Sequence, residues 1–113
     1  MSQCIFCAIV AGDLPGDVVH RSERFVAFRD IAPKAPVHLL VVPVRHVASL
    51  ADAAGLDDAE RAEMPLFIAE VAKRAGLEGT GYRVATNHGE HARQAVYHLH
   101  WHVLGGALLS DSM

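Results

Sequence analysis

The sequence predicts an α+β fold: a five-stranded, mainly antiparallel sheet with one long helix and one short one. Three observations predict it. Short β-branched or alternating segments recur between residues 18 and 43 and again between 82 and 104. Most connections between them are too short for parallel crossovers, which take roughly a dozen residues or more. Between the two sets, residues 57–75 carry Met64, Phe67, Ile68, Val71, Ala72 and Ala75 at helical spacing, the mark of a helix laid on a sheet.

The elements follow in order. Cys4-Ile5-Phe6-Cys7-Ala8-Ile9-Val10 is short and apolar, a helix of one or two turns ended by Gly12 and Pro15. Val18–His20 and Phe25–Asp30 read as strands around a turn at Arg21-Ser22-Glu23-Arg24. Pro33 and Pro36 make 31–36 a loop, because proline cannot sit in a central strand. Val37–Val42 is a nearly continuous apolar run closed by Pro43, a buried strand. In the long helix, Asp57 and Glu60 form a capping pair and Gly76 is the stop. Pro65 removes a backbone donor and is expected to kink the helix near its second turn. Tyr82–Asn87 and Tyr97–Leu104 are the remaining strands, the last ended by Gly105-Gly106.

With 113 residues, 51% of them hydrophobic and 20% charged, residues 1–113 read as one domain with one core. That composition excludes a disordered, collagen-like or coiled-coil chain. A net charge of −3 argues against a dedicated nucleic-acid binder, which carries a basic stripe. No apolar run approaches the roughly 18 residues of a membrane span. Met1-Ser2-Gln3-Cys4 lacks the basic and apolar regions of a leader. A cytoplasmic protein with neither membrane nor nucleic-acid partners is expected.

His98-Leu99-His100-Trp101-His102 is the most informative segment. On a strand the three imidazoles share one face, and Leu99, Trp101 and Val103 take the other, under the helix. Same-face positions are about 6.6 Å apart, so the outer pair is about 13 Å apart. Zinc holds its ligands at about 2 Å, so the row is not one metal site and must divide its duties. Neutral imidazole is a nucleophile and base near neutral pH, and a neighbour in another protonation state can be the acid. That combination suits transfer of a phosphoryl-type group through histidine. Just upstream, Asn87-His88-Gly89-Glu90-His91-Ala92-Arg93-Gln94 offers amide, glycine and arginine donors for phosphate oxygens.

Cys4-x-x-Cys7 has three readings. It is a redox pair, a pair of small buried hydrophobes, or half of a structural zinc site completed by two histidines. The redox reading lacks the preceding strand it requires. His38 also has two readings, a functional histidine or a hydrogen-bonded core residue on an apolar strand. His20, His88 and His91 read as surface or loop residues.

With Tyr97-His98-Leu99-His100-Trp101-His102-Val103-Leu104-Gly105-Gly106 in view, the chain resembles the histidine triad (HIT) superfamily, in its Hint-like branch. The resemblance spans almost the whole length. Cys4 to Pro15 is similar to the family's N-terminal helix and turn. Phe25 to Pro33 and His38 to His46 are similar to its nucleotide-pocket strands. It implies a homodimer with the two sheets joined into one, and a pocket for a purine nucleoside monophosphate or its phosphoramidate. By this resemblance His100 attacks the α-phosphorus, His102 contacts the phosphate and helps deliver a proton, and Asn87 positions a phosphate oxygen or the nucleophile. Asp30 holds the ribose hydroxyls, Phe6, Ile9, Phe28 and Ile31 enclose the base, and Arg93, Gln94 and Ala95 line the phosphate. The resemblance also completes the zinc reading, with His46 and His98 joining Cys4 and Cys7.

Arg93-Gln94-Ala95 stands where the Hint-like pattern has Gly-Gln-Ser, so a hydroxyl near the leaving group is absent. Arg93 either crowds the phosphate or adds a charge to it. Only seven residues follow Gly106, fewer than the tail of many relatives. The expected activity is hydrolysis of purine nucleoside 5'-phosphoramidates through a nucleotidyl-histidine intermediate. The rivals are a Fhit-like dinucleoside polyphosphate hydrolase and a nucleotide-binding or zinc-dependent interaction protein with negligible catalysis.

Overall fold

Local chemistry accounts for each element in the computed structural model, which describes residues 4–111. Met1-Ser2-Gln3, read above for leader character, lies outside them. The short helix α1 (Ile5–Ala11) is capped by the Cys4 side chain, which accepts the Cys7 N–H, and ends at Gly12 with φ of 85°. That left-handed backbone is open to glycine at little steric cost. Helix α2 (Asp58–Arg74) opens with the full reciprocal capping box of Asp57 and Glu60.

Strands β1 (Val18–Arg21), β2 (Phe25–Arg29), β3 (Val37–Pro43), β4 (Tyr82–Ala85) and β5 (Trp101–Gly105) pair in the order β1-β2-β3-β5-β4. Every neighbouring pair is antiparallel, as expected. Both faces of the sheet are covered in its middle. On one face Phe25, Ala27, Leu39, Val41 and Val103 pack with Phe67, Ile68, Val71 and Ala72 of α2. On the other Val26, Phe28, Leu40 and Val42 pack with Phe6 and Val10 of α1. A seven-residue helix covers less of a sheet than a seventeen-residue one. The α1 face therefore keeps room for a site.

Helix α2 continues through Pro65, which lies on its exposed face. Two strand boundaries are corrected. Strand β4 stops at Ala85, short of Asn87. Strand β5 starts at Trp101, after Tyr97, His98 and His100. The register Val41↔Trp101 leads onward to Pro43 opposite Leu99, where β3 ends. Proline has no N–H for the ladder. The Pro43 carbonyl instead takes the His98 ring N–H at 2.8 Å, and the Leu99 N–H goes to the Val47 carbonyl at 2.7 Å. Among the described residues no helix is long and apolar enough to cross a membrane.

Candidate active site

The side-chain alternation of the histidine row survives the loss of its first ladder bonds. Leu99 packs with Val47 and Leu56, Trp101 and Val103 lie on the α2 side, and the Trp101 indole N–H reaches Met64 Sδ at 3.0 Å. His98, His100 and His102 face the other way. The rings of His98 and His100 both meet the Phe6 ring edge-on, at centroid distances of 6.1 and 5.0 Å. Centroids of His100 and His102 are 5.1 Å apart.

Hydrogen bonds set the proton positions. The His98 carbonyl lies 2.8 Å from His100 Nδ1 and only accepts, so Nδ1 carries the proton and Nε2 is left with a lone pair. The Thr86 hydroxyl fixes the His100 backbone carbonyl at 2.7 Å. In His38 the roles are reversed: Nδ1 accepts the Lys34 backbone N–H at 3.0 Å, which puts the neutral ring's proton on Nε2. That Nε2–H lies 2.9 Å from His102 Nδ1 and 3.3 Å from Asp30 Oδ2. His102 Nδ1 accepts, so its own proton sits on Nε2. The two neighbouring rings are thus held in opposite tautomers, His100 with a lone pair on Nε2 and His102 with an N–H there. Asp30 is partly occupied, its Oδ1 accepting the Ala32 N–H at 2.8 Å.

Burial disfavours the charged form of His102 and of His38. Desolvation pushes the His102 pKa down to about 4, helped by the nearby His100 and His38 and opposed by the Asp30 charge. His38 is lowered for the same first reason, against the pull of Asp30. Folding with such rings neutral has a pH consequence. From pH 6.5 down towards 4 the unfolded chain takes up a proton that folded His102 refuses. Stability is therefore complete above pH 6.5 and falls as pH drops through that window, by less than about 1.4 kcal/mol per pH unit for this group. Urea titrations at several pH values should show the slope, and His102→Gln should flatten it. An unchanged slope in that variant would refute the assignment.

The second cluster joins both ends of the chain. Cys4 Sγ and Cys7 Sγ each lie 3.4 Å from His98 Nδ1, and His46 Nδ1 lies 3.3 Å from Cys7 Sγ and 3.2 Å from His98 Nδ1. A tetrahedral zinc with nitrogen and sulfur ligands sets donor separations of about 3.3 to 3.8 Å. The donor set fits. Because Nε2–H of His98 is committed to the Pro43 carbonyl, its Nδ1 lone pair faces the cluster. Burial, opposed by that hydrogen bond and assisted by His46 and His100, holds the His98 ring below the ordinary histidine range.

Residues 11–108 match the HIT domain family. The chain belongs to the HIT family. It is 35% identical over 111 residues to the purine nucleoside phosphoramidase of Escherichia coli K12, covering 98% of this chain and 93% of that one. Its fold matches a HIT family hydrolase from Clostridium thermocellum with a TM-score of 0.89, at 34% identity, covering 100% of this chain and 98% of that one. A histidine triad nucleotide-binding protein from Candida albicans follows with a TM-score of 0.82, at 27% identity, over 98% and 86% of the two chains.

The other expected site residues of this HIT chain are distributed unevenly. Phe6 and Phe28 are buried and meet edge-on at 5.3 Å, with Ile9 packed beside them, whereas Ile31 stands 99% exposed on the loop after β2. Asn87 lies just past the end of β4, next to Thr86, whose hydroxyl holds the His100 carbonyl. The Gln94 amide is spent on the loop: Oε1 takes the Gly89 N–H at 2.9 Å, and Nε2 donates to the Ala48 and Val96 carbonyls at 2.7 and 3.0 Å. Gln94 thereby braces the loop between β4 and β5. Ala95 is exposed. Arg93 adopts φ of 60°, the only non-glycine residue with positive φ among the described residues. The other seven arginines each reach a protein acceptor, and among the described residues Arg93 has none.

Sequence reasoning missed Thr86, the Lys34 N–H, and Ser49, whose buried hydroxyl lies 2.6 Å from His88 Nδ1. His38 combines its two readings, a buried core residue that also sets the tautomer of His102. Backbone donors have no residue-type signature to find. Thr86 and Ser49 sit in no motif.

Proposed function

We propose that this chain is one HIT domain that hydrolyses purine nucleoside 5'-phosphoramidates. The observation carrying this reading is the pair of opposed tautomers. The Nε2 lone pair of His100 attacks the α-phosphorus, the P–N bond breaks, and the departing amine takes a proton. Water then attacks the nucleotidyl-histidine, releasing the nucleoside monophosphate and restoring His100. His102 Nε2–H donates to a phosphoryl oxygen, and the arriving anion favours protonation of this ring, which prepares it to hand a proton to the amine. Asn87 orients an oxygen, and the free edge of Asp30 takes the ribose hydroxyls. Phe6, Ile9, Phe28 and Ile31 offer apolar surface to the base. Cys4, Cys7, His46 and His98 hold a zinc that is structural, since four protein donors close the coordination sphere. Acid-stable trapping is unsuited to a phosphohistidine, so the test is rapid alkaline quenching with adenosine 5'-phosphoramidate followed by mass spectrometry. A nucleotidyl adduct on His100 is expected, and turnover without any histidine adduct would sink the mechanism.

The unpartnered Arg93 favours a second reading of the leaving group, one that carries phosphate, as in a dinucleoside polyphosphate. Strained backbone is retained where function supports it. Arg93→Gly should lower the rate on diadenosine polyphosphate relative to phosphoramidate about five- to tenfold, the worth of roughly 1 kcal/mol for an exposed charge pair. An unaltered ratio would remove Arg93 from leaving-group recognition.

The reading includes a homodimer joined through β4. That strand is an open edge beside the site-bearing β5, with Tyr82 and Val84 39% and 38% exposed. Edge strands that bear a lysine resist pairing. Val84→Lys should therefore shift the mass in sedimentation from dimer to monomer. Identical sedimentation of the two proteins would place the seam elsewhere.

A further inference from the structure

The metal-type cluster and the candidate nucleophile share a residue. His98 gives its Nδ1 to the cluster, its Nε2–H to the Pro43 carbonyl at 2.8 Å, and its own carbonyl to the Nδ1–H of His100 at 2.8 Å. Three groups on one residue are thereby committed in three directions. A rotation of the His98 ring cannot leave the peptide behind it undisturbed, and that peptide decides which nitrogen of His100 holds the proton.

Helix α1 is the second connection. Seven residues are too few to hold a helix alone in water, so α1 depends on what it is tied to. The cluster ties its start, with Cys4 at the cap and Cys7 in the first turn, while Arg21 holds the Val10 carbonyl near its end at 3.0 Å. Between those ties lies Phe6, whose ring packs edge-on against both His98 and His100. The exposed ligand, His46, touches neither His100 nor Phe6 in this network, so it can be altered without cutting either connection.

We propose that Cys4, Cys7, His46 and His98, closed on zinc, form a positioning centre for His100. Closing the four donors fixes the His98 peptide that sets the His100 tautomer, and clamps α1 so that Phe6 limits the tilt of the same ring. His98 and Phe6 are positioning residues and act through His100. The functional meaning of this centre rests on reading His100 as the nucleophile.

The test uses the full chain, labelled with 15N, zinc-loaded and then stripped with a chelator. Two-bond proton–nitrogen spectra report each imidazole tautomer, a readout that general loosening of the fold does not mimic. Zinc-loaded protein should show His100 as the Nδ1–H form alone. Stripped protein should show a mixture of forms while circular dichroism retains helix and sheet. Its affinity for adenosine monophosphate should fall about tenfold or more, as for other groups that orient a site through its ligands. If stripping unfolds the chain, His46→Gln supplies the same comparison with three donors left in place. A folded, stripped protein or His46→Gln variant with His100 wholly in the Nδ1–H form and undiminished nucleotide affinity would overturn the proposal. The two ideas fail separately: zinc-dependent tautomers without phosphoramidate turnover remove the reaction and keep the centre, and turnover with zinc-independent tautomers does the reverse.

Discussion

His100→Ala is expected to lower kcat/KM for adenosine 5'-phosphoramidate by about four to six orders of magnitude, the usual consequence of deleting a covalent nucleophile. The size follows from the geometry. The lone pair on Nε2 exists because the His98 carbonyl claims the proton on Nδ1, and no other ring in the row is held that way. His102 carries its proton on Nε2, and His98 Nε2–H is bonded to Pro43, so neither can substitute. The binding contacts proposed for Asp30, Asn87 and His102 survive in the variant. Calorimetry with adenosine monophosphate should therefore show affinity within a few-fold of the parent, while turnover disappears. His102→Ala should be milder, because a donor to phosphate is lost and the nucleophile stays. Comparable turnover in His100→Ala and the parent protein would eliminate the covalent mechanism outright.

Removing zinc should produce the largest change in stability. The donors come from positions 4, 7, 46 and 98, so an ion shared by them would link the first turn of α1 to the segment after β3 and to the approach to β5. The unfolded chain does not assemble that set, and a ligand that binds only the folded state stabilises it in proportion to the logarithm of its saturation. At free zinc about a thousandfold above its dissociation constant this amounts to about 4 kcal/mol. Chelation should lower the melting temperature by on the order of 15 °C. The Cys4→Ser/Cys7→Ser double variant should melt low whether or not chelator is present. Elemental analysis should give close to one zinc per chain. A metal-free protein as purified, with a melting temperature indifferent to zinc and to chelator, would return the cysteines to the role of small core residues.

Much of the framework is legible in particular residues. Asp57 and Glu60 announce the start of α2, and the run from Val37 marks a buried strand, with β3 covered by α2 on one side and α1 on the other. The histidines of the row turn to different partners, His98 to the cysteines and His102 to His38. The boundaries were harder to read. Periodicity carries Tyr97 to Leu104 as one strand, yet Pro43 lies on the neighbouring strand and its missing N–H ends the ladder there. The same limit applies to Gln94, whose polar character suits a ligand contact as well as a loop brace. Arg93 is visible as a departure in the sequence, but its left-handed backbone and lack of a partner are not.

By itself the sequence determined the five strands, the two α-helices and the sharing of one face by the three histidines. These follow from spacing and residue type, which are local properties of the chain. Only the tertiary structure decided where the protons sit. The tautomer of His100 depends on a carbonyl, that of His102 on a ring 64 residues away, and the setting of His98 on Pro43 and on cysteines as far as 94 residues distant. An imidazole has two nitrogens of nearly equal basicity. What distinguishes them is the partner each one meets, and that partner is supplied by folding.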